Sequence, residues 1–287
     1  MDEGKKTIDE EMTTGGPAEQ ETGRLTIRVG RSSLMFLQPD KQAENGLLFE
    51  PYNCRSGVSV PANLREAFTE SPLLSRCPAT TRTQVLVDAP VMLVPVEEFA
   101  QQQAESLFRH TFTTGNSDVV TWTVIPSLNA VAVYAVNKDL KLVVEDHFSE
   151  VRWSHVCIPV WTHLHRRSFT GLRRKMYAYF HDRRMDLFSF QQNRFRFANS
   201  YEASRVADVV FFVLSVWKML GLNEKTDELH MVGDIQHKDM LQEELHQYVQ
   251  NVYVINPSAD FNRAPATKVS GLTYDLVCGA ARLKGNE

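Results

Sequence analysis

Two stretches of this chain describe the same local structure, and that repetition restricts the fold more than any single motif does. Leu25 to Gln38 (LTIRVGRSSLMFLQ) has the pattern of a strand, a tight turn and a strand, and Met176 to Phe190 (MYAYFHDRRMDLFSF) has it again. The echo continues downstream. NAVAVYAVNKDLKLVVEDHF from Asn129 and ELHMVGDIQHKDMLQEELHQYV from Glu228 each predict a strand, a polar break containing Lys-Asp, and a helix. A further strand is expected after each, around Val156 to Ile158 and Val252 to Ile255. A strand-rich α/β unit that recurs within one chain predicts two similar lobes, each with a core of its own. A length of 287 residues with 43% hydrophobic content suffices for both.

The first lobe is expected over residues 24–165 and the second over 166–287. In the first, the hairpin turns at Gly30-Arg31-Ser32-Ser33, Gly46 to Tyr52 is a third strand, and Pro61 to Phe68 is a helix. Gln84 to Asp88 (QVLVD) is a short apolar strand, and Val96 to Phe112 has helical spacing. The polar stretch His163 to Arg174, with one glycine, is the expected linker. In the second lobe, Arg194 and Arg196 alternate with Phe195 and Phe197, which predicts a half-buried strand with both rings on one face. Asn199 with Glu202 three residues on resembles a helix N-cap, and Gly221 supplies the stop. The helix between them, carrying the run Val206 to Leu220, is apolar nearly all round and should lie between a sheet and another partner. Asp208 and Lys218 interrupt that run, which is shorter than the roughly twenty residues of a membrane span.

Residues 1–23 are acidic and nearly devoid of apolar side chains, so a disordered tail is expected there. The first twenty residues lack the apolar run of a signal peptide, and a cytoplasmic protein with no membrane span is expected. Cys54, Cys77, Cys157 and Cys278 form no CxxC pair, which fits reduced thiols and neither a disulfide framework nor a zinc ribbon.

Three antiparallel strands, helix, strand, helix, strand is the order of a ribonuclease-H-like lobe. Two such lobes with a cleft between them resemble the actin, sugar-kinase and heat-shock-chaperone superfamily. At finer grain the chain resembles a bacterial family known as domain of unknown function 3822, with an actin-like ATPase fold. The residues that carry this likeness are NLREAF from Asn63, DAPVMLVPVEEF from Asp88, NAVAVYAVNKDL from Asn129, QNRFRFANSYE from Gln192, DELHMVGDI from Asp227 and ADFNRAPAT from Ala259. It spans about Leu25 to Leu276 and implies a fold without an assigned chemistry.

Active members of that superfamily hold ATP and Mg²⁺ between the lobes, wrapping the phosphates with the hairpin turn of each lobe. Such turns carry an Asp, glycines and a hydroxyl residue, because glycine admits close backbone approach and the carboxylate organises the metal. The first turn here, Gly30-Arg31-Ser32-Ser33, has no acidic residue. The second, Asp182-Arg183-Arg184, has no glycine and two bulky cations. Where the superfamily places two adjacent glycines against the adenosine, this chain has Gly233-Asp234. Asp88 is the nearest candidate for a catalytic base, and a turn cap is the plainer expectation. The resemblance therefore implies a non-catalytic adaptor or scaffold with degenerate phosphate turns and an unidentified protein partner, as in actin-like components of pilus and secretion assemblies. A nucleotide-binding protein or weak ATPase, using the cleft and these same nine residues as an anion or nucleotide site, is the alternative.

A second alternative is RNA. Between Arg166 and Arg205, ten Lys or Arg stand against three acidic residues, in a chain whose net charge is −4. Phenylalanines and tyrosines are interleaved, as in single-strand binding surfaces. His163, His165 and Cys157 lie close together but lack a further ligand at metal-site spacing, so no metal is expected. P-loop, dinucleotide and serine-hydrolase motifs do not occur. Finally, Asn193-Arg194 and Asn262-Arg263 each adjoin a phenylalanine, and PSADFNRAPAT is too apolar for a spacer. Phe261 and Arg263 are expected to anchor this loop across the interlobe cleft.

Overall fold

The computed structural model describes residues 24–283 except 116, 170–172, 193 and 203. The expected tail, residues 1–23, lies outside them, as does Asn193. In chain order the main elements are β1 (Leu25–Val29), β2 (Ser33–Pro39), β3 (Leu47–Asn53), α1 (Val60–Glu70), β4 (Thr83–Val87), β5 (Val91–Pro95), α2 (Gln101–Thr111), β6 (Asp118–Ile125) and β7 (Ala130–Asn137). They continue as α3 (Lys138–Glu145), β8 (Val151–His155), α4 (Cys157–Ser168), β9 (Lys175–His181), β10 (Arg184–Gln191), β11 (Arg194–Glu202), α5 (Val206–Met219), β12 (Glu228–Gly233), α6 (Lys238–His246), β13 (Asn251–Val254), α7 (Pro257–Asp260) and α8 (Tyr274–Leu283).

The duplication is literal in the strand order. One sheet runs β3-β2-β1-β4-β8 and the other β11-β10-β9-β12-β13. In each, a hairpin and a third antiparallel strand are followed by two parallel strands. α1 and α3 pack on the outer face of the first sheet, α5 and α6 on that of the second. α4 and α8 pack together between the sheets. The central core joins Leu37 and Leu86 of the first sheet to Tyr177, Tyr179, Phe188 and Val232 of the second. This is the duplicated ribonuclease-H-like architecture of the actin-like ATPase fold.

Several local expectations are corrected. NAVAVYAV is a strand, but β7 pairs with β5 and β6 in a separate three-stranded sheet covered by α2. The counterpart of β12 is instead β4, the strand of QVLVD, which pairs with β1 as β12 pairs with β9. The extra sheet is inserted between that strand and its helix α3. The strand expected at Val156 lies earlier, at Val151–His155, and Cys157 opens α4, whose first turn accommodates Pro159. α4 continues through His163 to Ser168 with Leu164 and His165 buried, so half of the expected linker is core helix. Asn199 is a strand residue paired opposite Leu187, and α5 begins after Arg205. Gly221 does end that helix, at φ 57°, a left-handed conformation suited to glycine.

Phe195 and Phe197 do not share a face. The register slips between Ser189 and Phe190, pairing Ser189 with Phe197 and Phe190 with Phe195. The bulge at Arg196 sends Phe195 into the central core and Phe197 into the outer one.

Candidate functional site

The two hairpin turns meet at the seam between the sheets, beside a buried guanidinium from β1. Arg28 on β1 is 1% exposed. Its Nη2 donates to Asp182 Oδ2 at 2.7 Å and its Nε to Asp275 Oδ2 at 2.7 Å. Tyr179 on β9 donates its hydroxyl to the other oxygen of Asp275 at 3.1 Å. Arg28 thus ties the first sheet to the turn of the second and to the first turn of α8. Burial alone would lower its pKa, but Asp275, Tyr179 and Asp182 more than offset that and hold it well above the usual value. A Cβ on Gly30 would lie 3.0 Å from both Arg28 Nη1 and Asp182 Oδ1, so the turns are in contact across the seam.

The second hairpin is a two-residue turn in which Asp182 and Arg183 both have positive φ, 46° and 61°. Such turns usually take Asn or Gly. Aspartate tolerates the left-handed region better than most residues, and the ion pair to Arg28 holds its carboxylate. That carboxylate is largely buried, yet His181 and Arg28 keep it charged, well below the usual range.

Next to it lies a second set of buried charges. His181 Nε2 is 2.5 Å from Asp186 Oδ2, and its Nδ1 is 3.5 Å from Asp182 and 3.9 Å from Asp88. Arg184 Nη1 is 3.5 Å from Asp88. Asp186 also accepts hydrogen bonds from Ser200 and, at 3.3 Å, from the Cys157 thiol. Cys157, His181 and Asp186 form one donor set with metal-like spacing, and Asp88, His181 and Asp182 another. Thiol, imidazole and carboxylate suit a divalent ion such as zinc. Each carboxylate is, however, already neutralised by His181, Arg28 or Arg184, and burial with Asp186 alongside pushes the Cys157 thiol far up. The three cations Arg28, His181 and Arg184 thus largely offset the four carboxylates Asp88, Asp182, Asp186 and Asp275, and the thiol is not activated for attack.

Its charge state predicts a pH dependence. Burial would lower the pKa of His181, but Asp182, Asp186 and Asp88 outweigh it and raise it to about 10 from an ordinary 6.5. Stability from this group is complete below pH 6.5 and is lost as pH rises through 10. Burial would raise Asp186, but His181, Ser200 and Cys157 bring it to about 2, so its contribution holds above pH 4 and is lost towards pH 2. His155 goes the other way. Buried and accepting the Cys157 N–H at Nδ1, it is pushed down to about 4 and donates Nε2–H to the Ala89 carbonyl. Between pH 7 and 10 the folded protein should therefore lose on the order of a few kcal/mol. In His181→Gln this alkaline slope should be absent. Urea denaturation at stepped pH measures both, and equal slopes would exclude His181 as the source.

The other expected site residues fall in different surroundings. Arg31 reaches Glu202 across the seam at 2.7 Å, at the surface. Arg183 and Asp234 line a hollow of only about 20 Å³ with Arg184, Arg205 and His237. Gly233 has φ 99°, and Asp234 N–H donates to the Phe180 carbonyl at 2.9 Å. A larger groove, about 340 Å³, runs between β5 and β11, lined by Leu93, Phe112, Trp161 and Phe195 and, from the charged cluster, by Asp186 and Ser200. Neither turn lines it.

The match to a family model covers residues 14–252, most of the chain. The chain belongs to the family described as protein of unknown function DUF3822. A Bacteroides thetaiotaomicron protein with actin-like ATPase fold and unknown function has a similar structure, with TM-score 0.75 and 25% identity over 84% of this chain and 95% of that one. A PilM–PilN type IV pilus biogenesis complex matches with TM-score 0.59 and 12% identity, over 92% of this chain and 98% of that one. No curated protein matches.

In this DUF3822 protein, the loop carrying Phe261 packs on the helices between the sheets. Phe261 stacks on His163 with centroids 4.3 Å apart, and Tyr274 donates to Asp260 at 2.6 Å. Asp260 also pairs with His163 and Arg167. Asp260 went unnoticed in the sequence because its partners lie on α4 and α8. Asn262 and Arg263 are exposed, both with positive φ. Arg194 pairs with Glu97 at 2.7 Å, linking β11 to the inserted subdomain.

The basic segment is largely spoken for. Arg167, Arg173, Arg174, Arg184 and Arg194 are in ion pairs, and Tyr177, Tyr179, Phe180 and Phe188 are core residues. Among the described residues, no helix is long and apolar enough to cross a membrane.

Proposed function

We propose that this protein is a non-catalytic member of the actin-like fold that acts as an adaptor or scaffold. What carries the reading is the Arg28 clasp. In active members of the superfamily the two turns wrap a nucleotide's phosphates, and here the guanidinium, from the strand that leads into the first turn, holds the second turn through Asp182 and α8 through Asp275 with 2.7 Å contacts. A triphosphate entering there would have to break both contacts and leave two carboxylates facing its own negative charge. Among the described residues, the hollow lined by Arg183 and Arg184 of the second turn is only about 20 Å³, whereas pockets for small ligands are usually some 300 Å³ or larger, and the 340 Å³ groove between β5 and β11 is lined by Asp186 and Ser200 but by no residue of either turn. Binding then falls to surfaces outside the cleft.

A thermal-shift titration tests this. A nucleotide present at a hundred times its Kd would add about 2.7 kcal/mol, a rise of roughly 5 °C in a chain of this size. MgATP and MgADP at millimolar concentration are expected to move Tm by less than about 1 °C. A rise of several degrees would overturn the proposal in favour of a nucleotide-binding cleft. Stabilisation by a short RNA that vanishes at higher salt would overturn it in favour of the basic segment.

A further inference from the structure

We propose that the protein self-associates as a two-fold dimer through the outer face of α5. The helix buries Val209, Val213, Val216 and Trp217 against its own sheet. Its opposite face is uncovered and carries two large apolar side chains, Phe211 65% and Met219 61% exposed, among polar ones. At 100° per residue, Ala207, Asp208, Phe211, Ser215, Lys218 and Met219 fall on that one face. Two large exposed apolar side chains on one helix face, rimmed by polar residues, suit a contact surface.

The order of side chains along the face points to a second copy of this chain as its occupant. Ala207 and Met219, Asp208 and Lys218, and Phe211 and Ser215 lie at equal distances on either side of Val213. When two such helices pack antiparallel about a two-fold axis opposite Val213, every residue meets its equidistant counterpart at the same level. Near the centre of the contact the large Phe211 then faces the small Ser215, while Met219 and Ala207, about 120° apart around the helix, flank it on opposite margins. Asp208 of each copy comes within reach of the other copy's lysine. Among the described residues, neither Asp208 nor Lys218 forms an ion pair within the chain. The two charges that interrupt the apolar run are thus complementary in an antiparallel pair and like-charged in a parallel one.

Fourteen residues of helix are about 21 Å long and bury less than the roughly 800 Å² per partner of a standard interface, so the dimer is a weak one. Sedimentation equilibrium of the full chain from about 1 to 500 μM should show a reversible monomer–dimer transition. Phe211→Asp, at an exposed position, should weaken it at least about tenfold while leaving Tm of the monomer unchanged. Asp208→Lys and Lys218→Asp should each weaken association, and the double exchange should restore it. A chain that stays monomeric throughout, a dimer indifferent to Phe211→Asp, or an exchange without recovery would each overturn the proposal.

Discussion

Arg28→Met is expected to destabilise the protein by about 3–5 kcal/mol. The guanidinium is the counter-charge for Asp182 and Asp275, the latter fully buried. Methionine fills a similar volume, so the loss comes from removing the guanidinium counter-charge of two carboxylates in a poorly solvated seam, where Tyr179 is a neutral partner and His181 a shared one. Removing both acids as well, in Arg28→Met with Asp182→Asn and Asp275→Asn, should recover much of the loss, because a buried ion triad contributes little net stability once nothing is left unpaired. Arg31→Ala is the control. Its pair with Glu202 also crosses the seam at 2.7 Å but is half exposed on both sides, so about 1 kcal/mol or less is expected. Urea denaturation of the four proteins measures the contrast. If Arg28→Met and Arg31→Ala unfold at the same denaturant concentration, Arg28 is not a clasp.

Gly233→Ala should be damaging for a different reason, and by at least about 3 kcal/mol. The residue ends β12 with φ 99°, outside the range open to side-chain-bearing residues, and an added Cβ would sit 2.1 Å from the Phe180 carbonyl oxygen. Phe180 precedes His181, so relieving that clash would move the charged cluster at the seam. Gly221→Ala has positive φ too, 57°, but nothing lies within 4 Å of its added Cβ, and about 1 kcal/mol is expected. Comparable losses in the two variants would mean that backbone conformation alone, and not the contact with Phe180, sets the effect. The glycine kept at this place therefore has a packing reason that needs no nucleotide.

Local periodicity made most strands and helices legible, and with them the duplicated fold. Hairpins such as β9–β10 announce themselves because alternation and turn chemistry act within a few residues. The inserted sheet was harder. NAVAVYAV has the same alternation whichever sheet it joins, so its pairing with β5 and β6, rather than with β1, leaves no mark in its residues. β8 was hidden by Arg152, Ser154 and His155, the last of which is buried only because Ala89 and Cys157 satisfy both ring nitrogens. The bulge that parts Phe195 from Phe197 is a property of the pairing with β10 and not of the segment itself.

The repeat in this chain predicted two similar lobes, and the order of strands and helices carried the resemblance to the actin-like fold, from whose phosphate-wrapping pattern the turns Gly30-Arg31-Ser32-Ser33 and Asp182-Arg183-Arg184 depart. It could not show what those turns meet in the folded chain. Asp182 stands 154 residues from Arg28, and Asp275 stands 247 away. Their meeting depends on α8 packing between two sheets, an arrangement set by burial of the central core. Side-chain alternation is a short-range property, readable along the chain. The charge balance at the seam is a long-range one, and it exists once the fold has brought those three residues together and excluded water from around them.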